Sequence, residues 1–183
     1  MKNVAQVTEN AYVGSLSGVR DTDFLNEVQP SIVVSLTQTR ITETTYHHPL
    51  VDGLNYQRKF ASAVETVVNA LENGEDIVVH CRAGRSRSVG VLSTSLAEHR
   101  GIEFSEALES IRDVRDTDPR PAIRWHGKHY LDEIDIVDVV EESMYDIEGE
   151  KVIQEQSGSS PFEHTNVSDD ISLNEMRFEQ FDG

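Results

Sequence analysis

At 183 residues the chain has room for one domain of ordinary size with a short appendage. Its 33 acidic and 16 basic side chains leave a net charge of −17, which excludes a generic nucleic-acid binder lacking a local basic patch. A single cysteine excludes an internal disulfide framework and a cysteine-rich zinc site. With no run of 18 apolar residues and no signal core after Met1-Lys2-Asn3, the chain is expected to stay out of membranes and to be cytoplasmic.

In chain order, Ala11-Tyr12-Val13-Gly14 is an apolar run closed by a glycine turn, the pattern of an edge strand. Asp21-Thr22-Asp23 then caps one or two helical turns through Phe24, Leu25 and Val28. Ser31-Ile32-Val33-Val34-Ser35-Leu36 is unbroken and β-branched, as a strand buried on both faces would be. Ala61, Val64, Val67, Val68 and Leu71 recur at helical spacing, and Asn73-Gly74 ends that helix. Asp76-Ile77-Val78-Val79-His80 reads as a second buried strand, followed by a helix from Arg87 to His99 that stops at Gly101. Ser105 is the expected cap of a helix to about Arg115, and Pro121 suits the first turn of a final helix to about Ser143. Trp125, Tyr130, Leu131, Ile134 and Val137 would form its core-facing side. Strands separated by helical crossovers imply an α/β fold: a mostly parallel sheet of four to five strands with helices on both faces.

The charge is unevenly spread. Residues 1–130 carry 17 acids and 14 bases, whereas residues 131–183 carry 16 and 2. The composition shifts near Gly149, so the expected organisation is a catalytic domain over 1–148 and an acidic, disordered tail over 149–183. The alternative is a docking segment, with Ile171, Leu173, Met176, Phe178 and Phe181 forming a small apolar face for a partner. Twelve arginines against four lysines, with acids in excess, also fit a salt-adapted source.

The decisive segment is His80-Cys81-Arg82-Ala83-Gly84-Arg85-Ser86-Arg87-Ser88, lying between a buried strand and a helix. A tight loop there turns backbone N–H groups toward one point, and Gly84 supplies the left-handed turn. The helix N-terminus adds unpaired N–H groups and its positive dipole end. Arg87 adds a planar fork for two phosphate oxygens. The result is a bowl for one tetrahedral dianion with Cys81 at its floor, lined by Arg82, Ala83, Gly84, Arg85, Ser86 and Arg87. The same field favours a thiolate. Full ionisation of an ordinary thiol gains only ~30-fold at neutral pH. Uncatalysed phosphate-monoester hydrolysis needs acceleration approaching ~10²¹-fold. Donors matched to the transition state and a proton for the leaving oxygen must supply the rest.

His80-Cys81, five residues, then Arg87-Ser88 resembles the signature of the cysteine-dependent protein tyrosine phosphatases. The Ala-Gly and Ser-Arg-Ser positions are similar to the dual-specificity branch. The resemblance spans roughly residues 4 to 140, including Tyr12-Val13-Gly14-Ser15 and Val33-Val34-Ser35-Leu36. It implies hydrolysis of phosphotyrosine, phosphoserine and phosphothreonine in proteins through a cysteinyl-phosphate, with no cofactor and no metal. It also implies a general acid on a mobile loop about thirty residues before the cysteine. Asp52, 29 residues before Cys81 and bracketed by Pro49 and Gly53, fits that place, with Glu43 in reserve. Ser88 would assist departure of the thiolate, and His80 would order the loop by hydrogen bonds.

Three other readings compete. Arg82 and Arg85 would place extra cations in the cradle, as in phosphoinositide or phosphatidylglycerophosphate phosphatases, favouring a lipid or inositol polyanion. A non-catalytic phosphopeptide-binding module would be expected to lack one of Cys81, Arg87 and Asp52. A rhodanese-type sulfur carrier would lack the Arg-Ser continuation. His47-His48 and His126-Gly127-Lys128-His129 lack the spacing of metal ligands and read as surface or core histidines.

Overall fold

The computed structural model describes residues 3–133; the tail over 149–183 and the far end of the expected last helix lie outside them. Five strands, β1 (Val4–Gln6), β2 (Ala11–Ser15), β3 (Ile32–Ser35), β4 (Tyr46–His47) and β5 (Ile77–Cys81), form one sheet in the order β1-β2-β5-β3-β4. β2, β5, β3 and β4 run parallel, and β1 pairs antiparallel with β2. β2 is therefore an interior strand, not the edge its short length implied: Val4 pairs with Gly14 and covers it.

β5 is central and buried throughout. Alternation along it sends Ile77, Val79 and Cys81 into the main core and Val78 to the opposite face. The main core also receives α2 (Gln57–Glu72), α3 (Arg87–Arg100), α4 (Phe104–Arg112) and α5 (Pro121–Tyr130). The opposite face is thinner: Val19 and Ile41 from loops, with Phe24 of α1 (Thr22–Val28), pack around Val78. α3 is buried along ten consecutive residues, with Gly90 admitting Ile123 so closely that any Cβ there would clash.

Three helix ends differ from expectation. α2 begins at Gln57, four residues before the apolar period starts; in its first turn Arg58 and Lys59 are exposed, Gln57 pairs with His126 and Phe60 is buried. α4 begins after Glu103, and Ser105 is not its cap. The carboxylate of Glu133 accepts the Phe104 N–H at 3.0 and 3.1 Å, so a residue 29 positions downstream performs the capping. α5 ends at Tyr130, where Asp132 follows with a left-handed backbone (φ 56°); Ser143, the expected end, lies outside the described residues. The buried side of α5 is Ile123, His126 and Gly127, with Tyr130 and Leu131 packed against the core as expected; Trp125 is half-buried and stacks on His129, and Ile134 and Val137 lie outside the described residues.

Candidate active site

Cys81 is the last residue of β5, and the loop 82–86 leads directly into α3. Gly84 takes φ +68°, and a Cβ there would lie 2.5 to 2.7 Å from backbone atoms of Gly14 and Ser15. Only glycine meets both demands. The end of β2 braces the loop from that side, with Leu16 N–H donating to the Arg82 carbonyl at 3.2 Å. On the other side Arg115, just past α4, donates from Nε to the Gly84 carbonyl (2.7 Å) and from Nη2 to the Ala83 carbonyl (3.3 Å). Occupying carbonyls from outside leaves the loop's N–H groups for the interior.

The Cys81 thiol is 2% exposed. Burial alone would raise its pKa, but other effects outweigh burial and the thiol is shifted down. The Ser88 hydroxyl lies 3.3 Å from Sγ, the Gly84 N–H donates to it at 3.2 Å, and the Arg87 cation adds its field. α3 starts with no side-chain cap, because the Ser86 hydroxyl accepts the Arg120 N–H (3.1 Å) rather than turning back on the helix. Its first-turn donors stay open to an anion.

Arg87 ties the cradle to the loop that carries Asp52. Its Nη1 donates to the carbonyls of Leu36 (3.2 Å) and Leu50 (3.0 Å), and Leu50 stands two residues before Asp52. Its Nε is buried with no partner among the described residues. Asp52 meets Arg120, Oδ2 accepting from Nε at 3.0 Å. Arg120 thus touches Ser86 through its backbone and Asp52 through its side chain. Asn55 shapes the loop, accepting from Val51 N–H (2.9 Å) and donating to the carbonyls of Val51 (3.1 Å) and Gly53 (2.8 Å). The Asn55 N–H donates to His126 Nε2 (2.9 Å), while His126 Nδ1 pairs with Gln57 Oε1 (2.6 Å). The acceptor role of Nε2 needs a neutral ring, and burial, aided by His129, lowers the His126 pKa accordingly.

The structure therefore brings together Cys81, Ala83, Gly84, Ser86, Arg87, Ser88 and Asp52. Two expectations change. Arg82 and Arg85 are exposed on the rim rather than inside the bowl, with Arg85 3.9 Å from Asp116. His80 is buried, but neither ring nitrogen finds a geometrically sound hydrogen bond among the described residues. It supports the loop by packing on the Val78 face, and desolvation lowers its pKa to about 4. The Glu43 carboxylate opposes that shift through its field. Arg115, Arg120 and Asn55 escaped sequence reasoning. The arginines stand in a charged stretch that looks solvated, and their roles appear only when α4 and α5 pack beside the loop.

The family model for the dual specificity phosphatase catalytic domain matches residues 11–128, well over half of the chain. The chain belongs to the dual-specificity phosphatase family. A dual specificity protein phosphatase 1B of Arabidopsis thaliana is 22% identical over 121 residues, covering 62% of this chain and 72% of that protein. Human dual specificity phosphatase 28 is 31% identical over 77 residues, covering 42% of each chain. The crystal structure of that human protein superposes with a TM-score of 0.62 at 20% identity, over 70% of this chain and 92% of the other. As a member of this family the chain is a protein phosphatase, and the cradle around Cys81 lies within its phosphatase domain.

Proposed function

We propose that this phosphatase hydrolyses phosphotyrosine, phosphoserine and phosphothreonine in proteins through a cysteinyl-phosphate formed on Cys81. The observation that carries the reading is the buried Arg87 Nε, without a partner among the described residues, beside a thiol held toward its anion. A buried donor without an acceptor costs ~1–3 kcal/mol. A phosphate oxygen in the bowl satisfies it.

In the first step the Cys81 thiolate attacks phosphorus, the bond to the leaving oxygen breaks, and Asp52 gives that oxygen its proton. Arg87 and the loop N–H groups stabilise the equatorial oxygens in the transition state. In the second step Asp52 takes a proton from water, the water oxygen attacks phosphorus, and the S–P bond breaks. The Ser88 hydroxyl, already 3.3 Å from Sγ, donates to the departing thiolate. Without substrate, Arg120 holds Asp52, so the carboxyl must exchange this partner for the leaving oxygen. Arg120 is a positioning residue for the acid loop.

Protein substrates are favoured over small polyanions. Val51, Leu54 and Tyr56, on the loop that carries Asp52, are 50%, 70% and 72% exposed and offer apolar contact to residues flanking the phosphorylated side chain. Arg82 and Arg85, the support for a lipid or inositol polyanion, lie on the rim. A thiolate nucleophile acts only while reduced, which supports a reducing compartment such as the cytoplasm as its place of action.

The test is a turnover panel of phosphotyrosyl and phosphothreonyl peptides against inositol phosphates and phosphatidylglycerophosphate, with Cys81→Ser as control. Peptide turnover that disappears in Cys81→Ser, while vanadate still binds, is expected. Preferential hydrolysis of the lipid or inositol esters would overturn the substrate class, and turnover by Cys81→Ser would overturn the mechanism.

A further inference from the structure

The two stems of the acid loop enclose a cleft of about 320 Å³ apart from the cradle. It is lined by His47, His48 and Pro49 on the entering stem and by Arg58, Lys59 and Ser62 on α2. Arg58 and Lys59 are cationic, two more of the six are imidazoles, and no carboxylate is among them. By contrast, Arg85, Arg112, Arg120 and Arg124 each face a carboxylate within 4 Å. Arg58 is exposed and has no ion pair or hydrogen bond among the described residues. Among the described residues Lys59 has only the face of Tyr56, 5.8 Å from the ring centre.

The histidines are oriented rather than loose. His47 Nε2 pairs with the Thr37 carbonyl at 2.8 Å. His48 Nε2 meets the Thr66 hydroxyl at 2.9 Å, and that hydroxyl donates to the Ser62 carbonyl. Each ring is fixed through Nε2, leaving Nδ1 uncommitted. α2 also starts with no side-chain cap and no acid in its first turn, where two cations oppose the helix dipole. A bound anion would relieve both the like-charge crowding and the dipole.

We propose that this cleft is a second anion site, binding a phosphate-class dianion through Arg58, Lys59 and the Ser62 hydroxyl. The ligand is either a second phosphoryl group on the substrate or free phosphate, and one experiment separates them. Binding itself does not depend on catalysis; only the peptide arm below rests on the phosphatase reading.

Amide and side-chain NMR shifts are followed in the full chain during titration with inorganic phosphate. Two groups of saturable shifts are expected, one at Gly84 and Ser86 and one at His48, Arg58 and Ser62. Arg58→Ser/Lys59→Ser should weaken the second group about fivefold or more, and Ser62→Asp should abolish it. Both variants should leave the first group and p-nitrophenyl phosphate turnover unchanged. In the peptide arm, kcat/KM is compared for singly and doubly phosphorylated peptides. A preference for the doubly phosphorylated peptide that vanishes in both variants assigns the site to substrate; equal kcat/KM with phosphate still bound assigns it to the free ion. No shifts in the second group together with no peptide preference, or shifts that persist in both variants, would overturn the site. Loss of p-nitrophenyl phosphate turnover in the unmodified protein would instead count against the phosphatase mechanism.

Discussion

The cradle and the acid loop meet at one guanidinium, yet they are built in opposite ways. In the cradle Cys81, Gly84, Ser86 and Ser88 are buried, a glycine is fixed by both φ and space, and carbonyls are pinned from two sides. The acid loop exposes Val51, Leu54 and Tyr56 and is held by a few polar contacts: Leu50 O to Arg87, Asp52 to Arg120, Asn55 N–H to His126. The difference suits the tasks proposed for them. Transition-state donors must not reorganise during reaction, whereas an acid must approach after substrate enters. Rigidity stems from the strand–loop–helix junction, whereas the loop is anchored at Leu50 and Asn55 with its apolar side chains between them exposed.

Substitutions can break this contrast. The largest effect is expected at the acid: Asp52→Asn should lower kcat by ~10²–10⁴-fold on alkyl phosphates, and much less on aryl phosphates with good leaving groups. Equal losses on both, measured in parallel assays, would remove Asp52 from the acid role. Arg87→Lys keeps the charge but loses the fork, and should cost ~10²–10³-fold in kcat through lost transition-state donors. A near-normal rate would show that charge alone suffices.

The third prediction concerns the support behind the cradle. The His80 pKa falls from an unfolded value near 6.5 to about 4 in the fold, so the unfolded chain binds the proton more readily. Stability from this group is full above pH 6.5, declines as pH falls, and is lost below about 4, a change of about 3 kcal/mol. Melting curves across that window should flatten in His80→Asn relative to the unmodified protein; parallel slopes would sink this assignment. The smallest effect is expected at the rim. Arg120→Ala should cost under ~1 kcal/mol of stability, because the pair is largely exposed. Its kcat loss should be a few-fold at most, larger on alkyl than on aryl phosphates, since Arg120 acts through Asp52.

What the sequence made legible is what local chemistry controls. β3 and β5 are dense in β-branched residues, the Asp21 cap does accept the Asp23 N–H, and the Cys81–Ser88 loop has a fixed spacing. β1 and β4 were missed because strands of three and two residues at a sheet edge need no apolar pattern. Long-range partners were invisible for the same reason that Ser105 looked like a cap. Its hydroxyl turns to Glu103, while the cap comes from Glu133. Arg115 and Arg120 likewise acquire meaning only from tertiary contacts, as does the rim position of Arg82 and Arg85.

The central claim, a thiolate stabilised at the floor of an anion cradle, is open to direct titration because Cys81 is the sole cysteine. Iodoacetamide alkylation followed by mass spectrometry across pH reports this one sulfur. The expected inflection lies well below the ordinary thiol value of about 8.5, with protection by inorganic phosphate. An inflection at or above that value, unmoved by phosphate, would contradict the account.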